Sequence, residues 1–118
     1  MSNAEHSAHV EFAGYVREEV TAALEGATTR VMRRVKIERI EPDLAAEWPT
    51  VIVLLTDTAR PGCLFGKRCS TDVVDVTPDT PSSFRLAASI CIVNIEEAFE
   101  ADDADLPEAC SGGTITWI

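Results

Sequence analysis

Seven consecutive residues, Thr50-Val51-Ile52-Val53-Leu54-Leu55-Thr56, carry no charge and are β-branched or apolar throughout. Trp48 and Pro49 lead into them, and a proline pushes the backbone at its junction into an extended conformation. Such a run reads as a central strand with apolar side chains on both faces. A strand of this kind needs cover on both sides. One cover is a helix of the same chain; the other is a second layer or a neighbouring subunit.

The helix is legible upstream. Over residues 9–25, Phe12, Val16, Val20, Ala23 and Leu24 form one stripe while Arg17, Glu18 and Glu25 turn away from it, and Gly26 ends the pattern. From Thr29 to Ile40 the period becomes two: Val31, Val35 and Ile37 share one face, and Arg34, Lys36 and Glu38 the other, as in a half-buried strand. Arg33 and Arg39 interrupt the apolar face, which a strand end tolerates because long side chains carry their charge out to water. Asp57 to Thr71, with Pro61, Gly62 and Gly66, reads as a long hairpin loop. A short strand is expected over Asp72–Val76, a turn over 78–82, and a long strand over Ser83–Ile95 beside residues 50–56, with Phe84, Leu86, Ala88, Ile90 and Ile92 on one face. Glu96 to Asp105 has the length of one or two helical turns before Pro107; Ser111, Gly112 and Gly113 turn the chain into a last strand, Thr114–Ile118. The expected fold is α+β, one domain over 1–118. Its N-terminal helix packs on a mostly antiparallel four- to five-stranded sheet, with a short acidic helical or loop insert before the last strand.

Charge narrows the partners. Twenty acids against ten bases give a formal charge of −10, which repels phosphate backbones and disfavours specific nucleic-acid binding. No apolar run approaches the ~20 residues of a membrane span, and residues 1–14 lack the pattern of an export signal. The bases cluster, with Arg30, Arg33, Arg34, Lys36 and Arg39 within ten residues. Glu96, Glu97, Glu100, Asp102, Asp103, Asp105 and Glu108 crowd a later stretch without a base. Two such poles suit association of copies, the basic patch of one meeting the acidic patch of the next; the plainer reading is two solvated faces. Arg60, Lys67 and Arg68 form a smaller basic group on the expected loop, read as a solubilising tip or a contact for an acidic partner.

Chemistry is sparse. His6 and His9 fall in an N-terminal arm and read as solvated. No nucleophile elbow, phosphate-cradling loop or histidine pair with metal spacing occurs, and a small enzyme using Asp57 or Asp72 with a cysteine has no supporting spacing. The spacing of Asp102, Asp103 and Asp105 suggests calcium, but the glycine and glutamate of that loop are missing. Of Cys63, Cys69, Cys91 and Cys110, the first two enclose five residues, wider than a zinc knuckle; free thiols in a reducing cytoplasm are expected, with a Cys63–Cys69 bridge or metal site as the alternative. No catalytic residue, cofactor or metal is assigned. Trp48 reads as core or a sheet-edge lid, or else as an exposed anchor for a partner.

The segment Glu47-Trp48-Pro49-Thr50-Val51-Ile52-Val53-Leu54-Leu55-Thr56 resembles the tail terminator (minor tail, tail completion) proteins of long-tailed bacteriophages. In that family an N-terminal amphipathic helix and a strand precede an acidic residue, an aromatic and a proline that lead into an apolar strand ending in threonine. It commonly has a longer amphipathic helix between its last two strand regions, a place where residues 96–112 are short and acidic. The resemblance implies a non-enzymatic structural protein of the virion tail, made in the host cytoplasm. Copies would form a ring, hexameric in the family, at the head-proximal end of the tail. The ring stops growth of the tail tube, and its partners are the tube protein and the head-completion or connector protein. On that reading Arg33, Arg34, Lys36 and Arg39 face Glu96, Glu97, Glu100, Asp102 and Asp103 of the adjacent copy, and Arg60, Lys67 and Arg68 contact the tube or connector. The competing reading is a small cytoplasmic binding or regulatory domain with a ligand or metal in the Cys63–Cys69 loop.

Overall fold

The structure is a computed structural model and describes residues 3–60, 62–73, 81–102 and 114–117. Helix α1 (Asn3–Glu25) is followed by a 3-10 turn (Met32–Arg34) and a meander of three antiparallel strands, β1 (Val35–Pro42), β2 (Thr50–Asp57) and β3 (Leu64–Ser70). A second 3-10 turn (Thr71–Val73), helix α2 (Pro81–Asp102) and strand β4 (Thr114–Trp117) complete the order. The sheet runs β1-β2-β3-β4, with β4 parallel to β3, so α2 is the crossover between two parallel strands. The class is α+β, as the patterning requires.

The long strand expected over Ser83–Ile95 is instead the body of α2. Its alternating apolar residues also satisfy a helical spacing: Phe84, Ala87, Ala88, Cys91, Ile92, Ile95 and Phe99 recur at three and four residues, and all seven are buried. Burial on one stripe outweighs the strand preference of Ile90, Ile92, Val93 and Ile95. The expected acidic insert continues the same helix as far as Asp102. The expected loop 57–71 contains β3, whose Phe65 and Cys69 face the helices. Residues 72–73 of the expected short strand lie in the second 3-10 turn. Residues 74–76, the turn at 78–80, Asp103, Asp105, Pro107, Glu108, Cys110 and residues 111–113 lie outside the described residues.

Both helices pack on one face of the sheet, α1 over β1 and β2 and α2 over β3. The core between the layers holds Val35, Ile40, Val51, Val53, Leu55 and Phe65 from the sheet against Phe12, Val16, Val20, Phe84, Ile95 and Phe99. All four phenylalanines are fully buried. Phe84 meets Phe12 and Tyr15 with ring centroids 5.7 and 5.8 Å apart, and Phe65 meets Phe99 at 5.2 Å, tilted or edge-on arrangements that add to area burial. A register shift between Ile37 and Arg39 lets Ile40 return to the core side after Ile37 and leaves charged residues on the free edge of β1.

Two connections set the ends of the sheet. Between β2 and β3, Asp57 accepts from the Arg60 N–H at 2.9 Å, and Arg60 accepts from the Cys63 N–H at 3.1 Å. The second turn needs Gly62, whose φ of 88° lies in the region that favours glycine. Between β1 and β2, the Asp43 N–H donates to the Thr50 carbonyl at 2.8 Å, and the Asp43 side chain accepts from the Ala45 N–H at 3.3 Å. The intervening residues are thus held as an ordered tip.

The cysteines overturn the expectation of free thiols and of a Cys63–Cys69 bridge. Cys69 of β3 is bonded to Cys91 of α2 across 22 residues of sequence, with Cα atoms 5.6 Å apart. That separation is normal for the bond, and only the packing of α2 on β3 makes it. Cys63 is disulfide-bonded as well, and no cysteine among the described residues is free. His9, expected in a solvated arm, is 4% exposed on α1.

Candidate functional site

The most elaborate polar arrangement closes the far end of β2. Asp57, its side chain fully buried, receives two hydrogen bonds from Arg34, Nε to Oδ1 at 3.0 Å and an Nη to Oδ2 at 3.2 Å; it also receives one from Arg60 and one from the Ala59 N–H at 2.9 Å. Burial by itself would raise the Asp57 carboxyl, but the Arg34 hydrogen bond, the Ala59 N–H and Arg60 outweigh it and hold the pKa below the ordinary 3.8. A carboxylate locked between two guanidiniums is a structural clasp joining β1, β2 and the turn. It has no capacity left to act as a base.

This clasp reassigns two expected contact residues. Arg34 is half-buried and Arg60 is 7% exposed, both facing inward to Asp57. The expected basic loop is therefore corrected: Arg60 belongs to a tight turn, while Lys67 and Arg68 are half-buried residues of β3. Arg39 forms an exposed ion pair with Glu41, and Arg33 donates to the Ala27 carbonyl at 3.4 Å. Arg33 and Lys36 stay exposed.

The acidic group is displaced from its expected place. Glu96, Glu97 and Glu100 lie on the last turns of α2, with Glu97 and Glu100 exposed; Asp102 ends the helix, and Asp103 lies outside the described residues. Val35 pairs with Asp57, Leu55 with Phe65, and Phe65 touches Phe99. The end of α2 therefore sits at the same end of the molecule as the start of β1. Acids and bases expected as separate poles share one end.

Two further surfaces remain, each among the alternatives that the residue pattern left open. The sheet face turned away from the helices carries Ile52, Leu54 and Thr56 of β2 and Leu64 of β3. Among the described residues no helix lies on it. Ile52, Thr56 and Leu64 are half-buried, while Leu54 is already 6% exposed. The second surface is the β1–β2 tip, where Leu44 is 51% and Trp48 43% exposed, so Trp48 is neither core nor lid.

Among the described residues no group of three metal-ligating side chains converges, and no helix is long and apolar enough to cross a membrane. No protein-family model, curated protein or solved structure matches this chain.

Proposed function

We propose that this protein is a non-enzymatic structural subunit that assembles with its own copies, and that it serves as a tail terminator of a long-tailed phage. The observation carrying the reading is the two-layer build. Both helices cover one sheet face, and on the opposite face Ile52 of β2 and Leu64 of β3 are half-buried, with no layer above them among the described residues. A partly apolar sheet face that no described element covers suits burial against another subunit of a particle.

The element order agrees with the resemblance only in its first part: the N-terminal helix, the strand before Trp48 and the strand after Pro49 stand where it places them, while the long strand it places at Phe84–Ile95 is helix α2. The bonded cysteines fit a particle that leaves the cell, since disulfides persist in oxidising surroundings. They also speak against the small metal-binding domain, because Cys63 and Cys69 have no free thiolates to offer. Of the bases assigned to the ring interface, Arg33 and Lys36 are exposed, while Arg34 and Arg39 form ion pairs within the subunit.

Antibody against this chain, applied to tails from a lysate of the source phage, should label the head-proximal end. A chain absent from purified particles, and monomeric at every concentration, would remove the proposal.

A further inference from the structure

The β1–β2 tip and the opposite end of β1 are shaped for one another. At the tip, Leu44 and Trp48 are exposed on a loop fixed by its own hydrogen bonds, with Asp43 and Glu47 beside them. A rigid, exposed tryptophan is the residue type that anchors interfaces, because it brings a large apolar area with little entropy left to lose. At the other end, a groove of about 450 Å³ runs between the last turns of α1 and the start of β1. Its apolar lining is Leu24, Val35 and Ile37, and its bases are Arg17, Arg33 and Lys36; Glu25 and Glu38 also border it. It is an open groove and not an enclosed pocket, a shape that suits a protruding loop.

We infer that the occupant of this groove is the Leu44–Trp48 tip of a second copy. The inference rests on the self-association proposed for the subunit and names the contact that makes it. Charge complementarity selects the partner: Asp43 and Glu47 approach Arg33 and Lys36, while Trp48 covers Leu24 and Ile37. Tip and groove stand at opposite ends of one strand, ~20 Å apart at ~3.3 Å per residue. A single tip-in-groove contact is heterologous and, repeated, builds a ring or an open filament; made reciprocally by two antiparallel copies it closes a two-fold dimer.

Complementary charge reversals test it. One variant carries Glu47→Lys, the other Arg33→Glu and Lys36→Glu; Asp43 is left in place because its side chain holds the tip. All three positions are exposed, and both variants should melt as the parent does. By sedimentation, each alone should associate at least tenfold more weakly than the parent. An equimolar mixture should regain association, because every reversed tip then meets a reversed groove and every native tip a native one. Trp48→Ala should weaken association without restoring it in any mixture. If the parent associates and the reversals leave it unchanged, or if the mixture stays as weak as its components, the tip-in-groove contact is wrong while self-association stands. A parent that stays monomeric at every concentration overturns the tip-in-groove contact, and absence from purified particles as well overturns the proposed function.

Discussion

Asp57 shows how a single side chain can close a fold. Its carboxylate ties Arg34 from the 3-10 turn before β1 and Arg60 from the following turn, with none of its own surface in water. Removing one member of a buried charged set leaves the others uncompensated, which costs about 3–5 kcal/mol. Asp57→Asn should lower the unfolding free energy by about 3 kcal/mol in urea titrations. The pH dependence is set by the depressed carboxyl. A folded pKa below the ordinary 3.8 means the stabilisation is complete above that value, and it is lost as pH falls through the lower folded value. The difference in urea midpoint between parent and Asp57→Asn should therefore stay constant from neutral pH to about pH 5 and shrink in more acid solution. A difference that grew on acidification would show the clasp to be misassigned.

At the scale of elements, α2 is the part that local reading misjudged. Val93 is 50% exposed on it, away from the core contacts, so it reports backbone preference with little packing. Val93→Ala should raise stability by up to about 0.6 kcal/mol because alanine is the better helix former; in a strand the same change would be unfavourable. The Cys69–Cys91 bond fastens this helix to β3. Closing a loop of this length restricts the unfolded chain by about 3 kcal/mol, so Cys69→Ala with Cys91→Ala should lose roughly that amount by calorimetry or urea titration. Adding reductant to the double variant reports separately on the bond that holds Cys63.

For the whole molecule, the decisive feature is the unequal treatment of the two sheet faces. Ile52 is half-buried on the face that no described helix covers, so Ile52→Lys should change monomer stability by no more than about 1 kcal/mol and yet, on the proposed function, prevent incorporation into particles. Intact incorporation of this variant, scored by mass spectrometry of purified virions, would move the interface elsewhere. Charge acts differently at this scale from the way it reads along the chain. The acids of α2 and the bases of the β1 start, far apart in sequence, are brought to one end by the Phe65–Phe99 contact. The acidic partner for Arg33 and Lys36 is then the tip at the other end.

The amino-acid sequence by itself determined what depends on near neighbours. The stripe of Phe12, Val16 and Val20 specifies α1, the uncharged run after Pro49 specifies β2, and the alternation at Val35 and Ile37 specifies β1, because periodicity and backbone restriction act within a few residues. Only the tertiary structure decided the rest. Ser83–Ile95 satisfies both periods, and burial against Phe12, Tyr15 and Phe65 selects the helix. The partners of Arg34, Arg60 and Cys69 lie across strands or layers, and no spacing along the chain encodes which distant residue a fold will bring within a few ångströms. Exposure of Trp48 is likewise a property of the tip's place beyond the helices, where nothing in the described chain reaches to cover it.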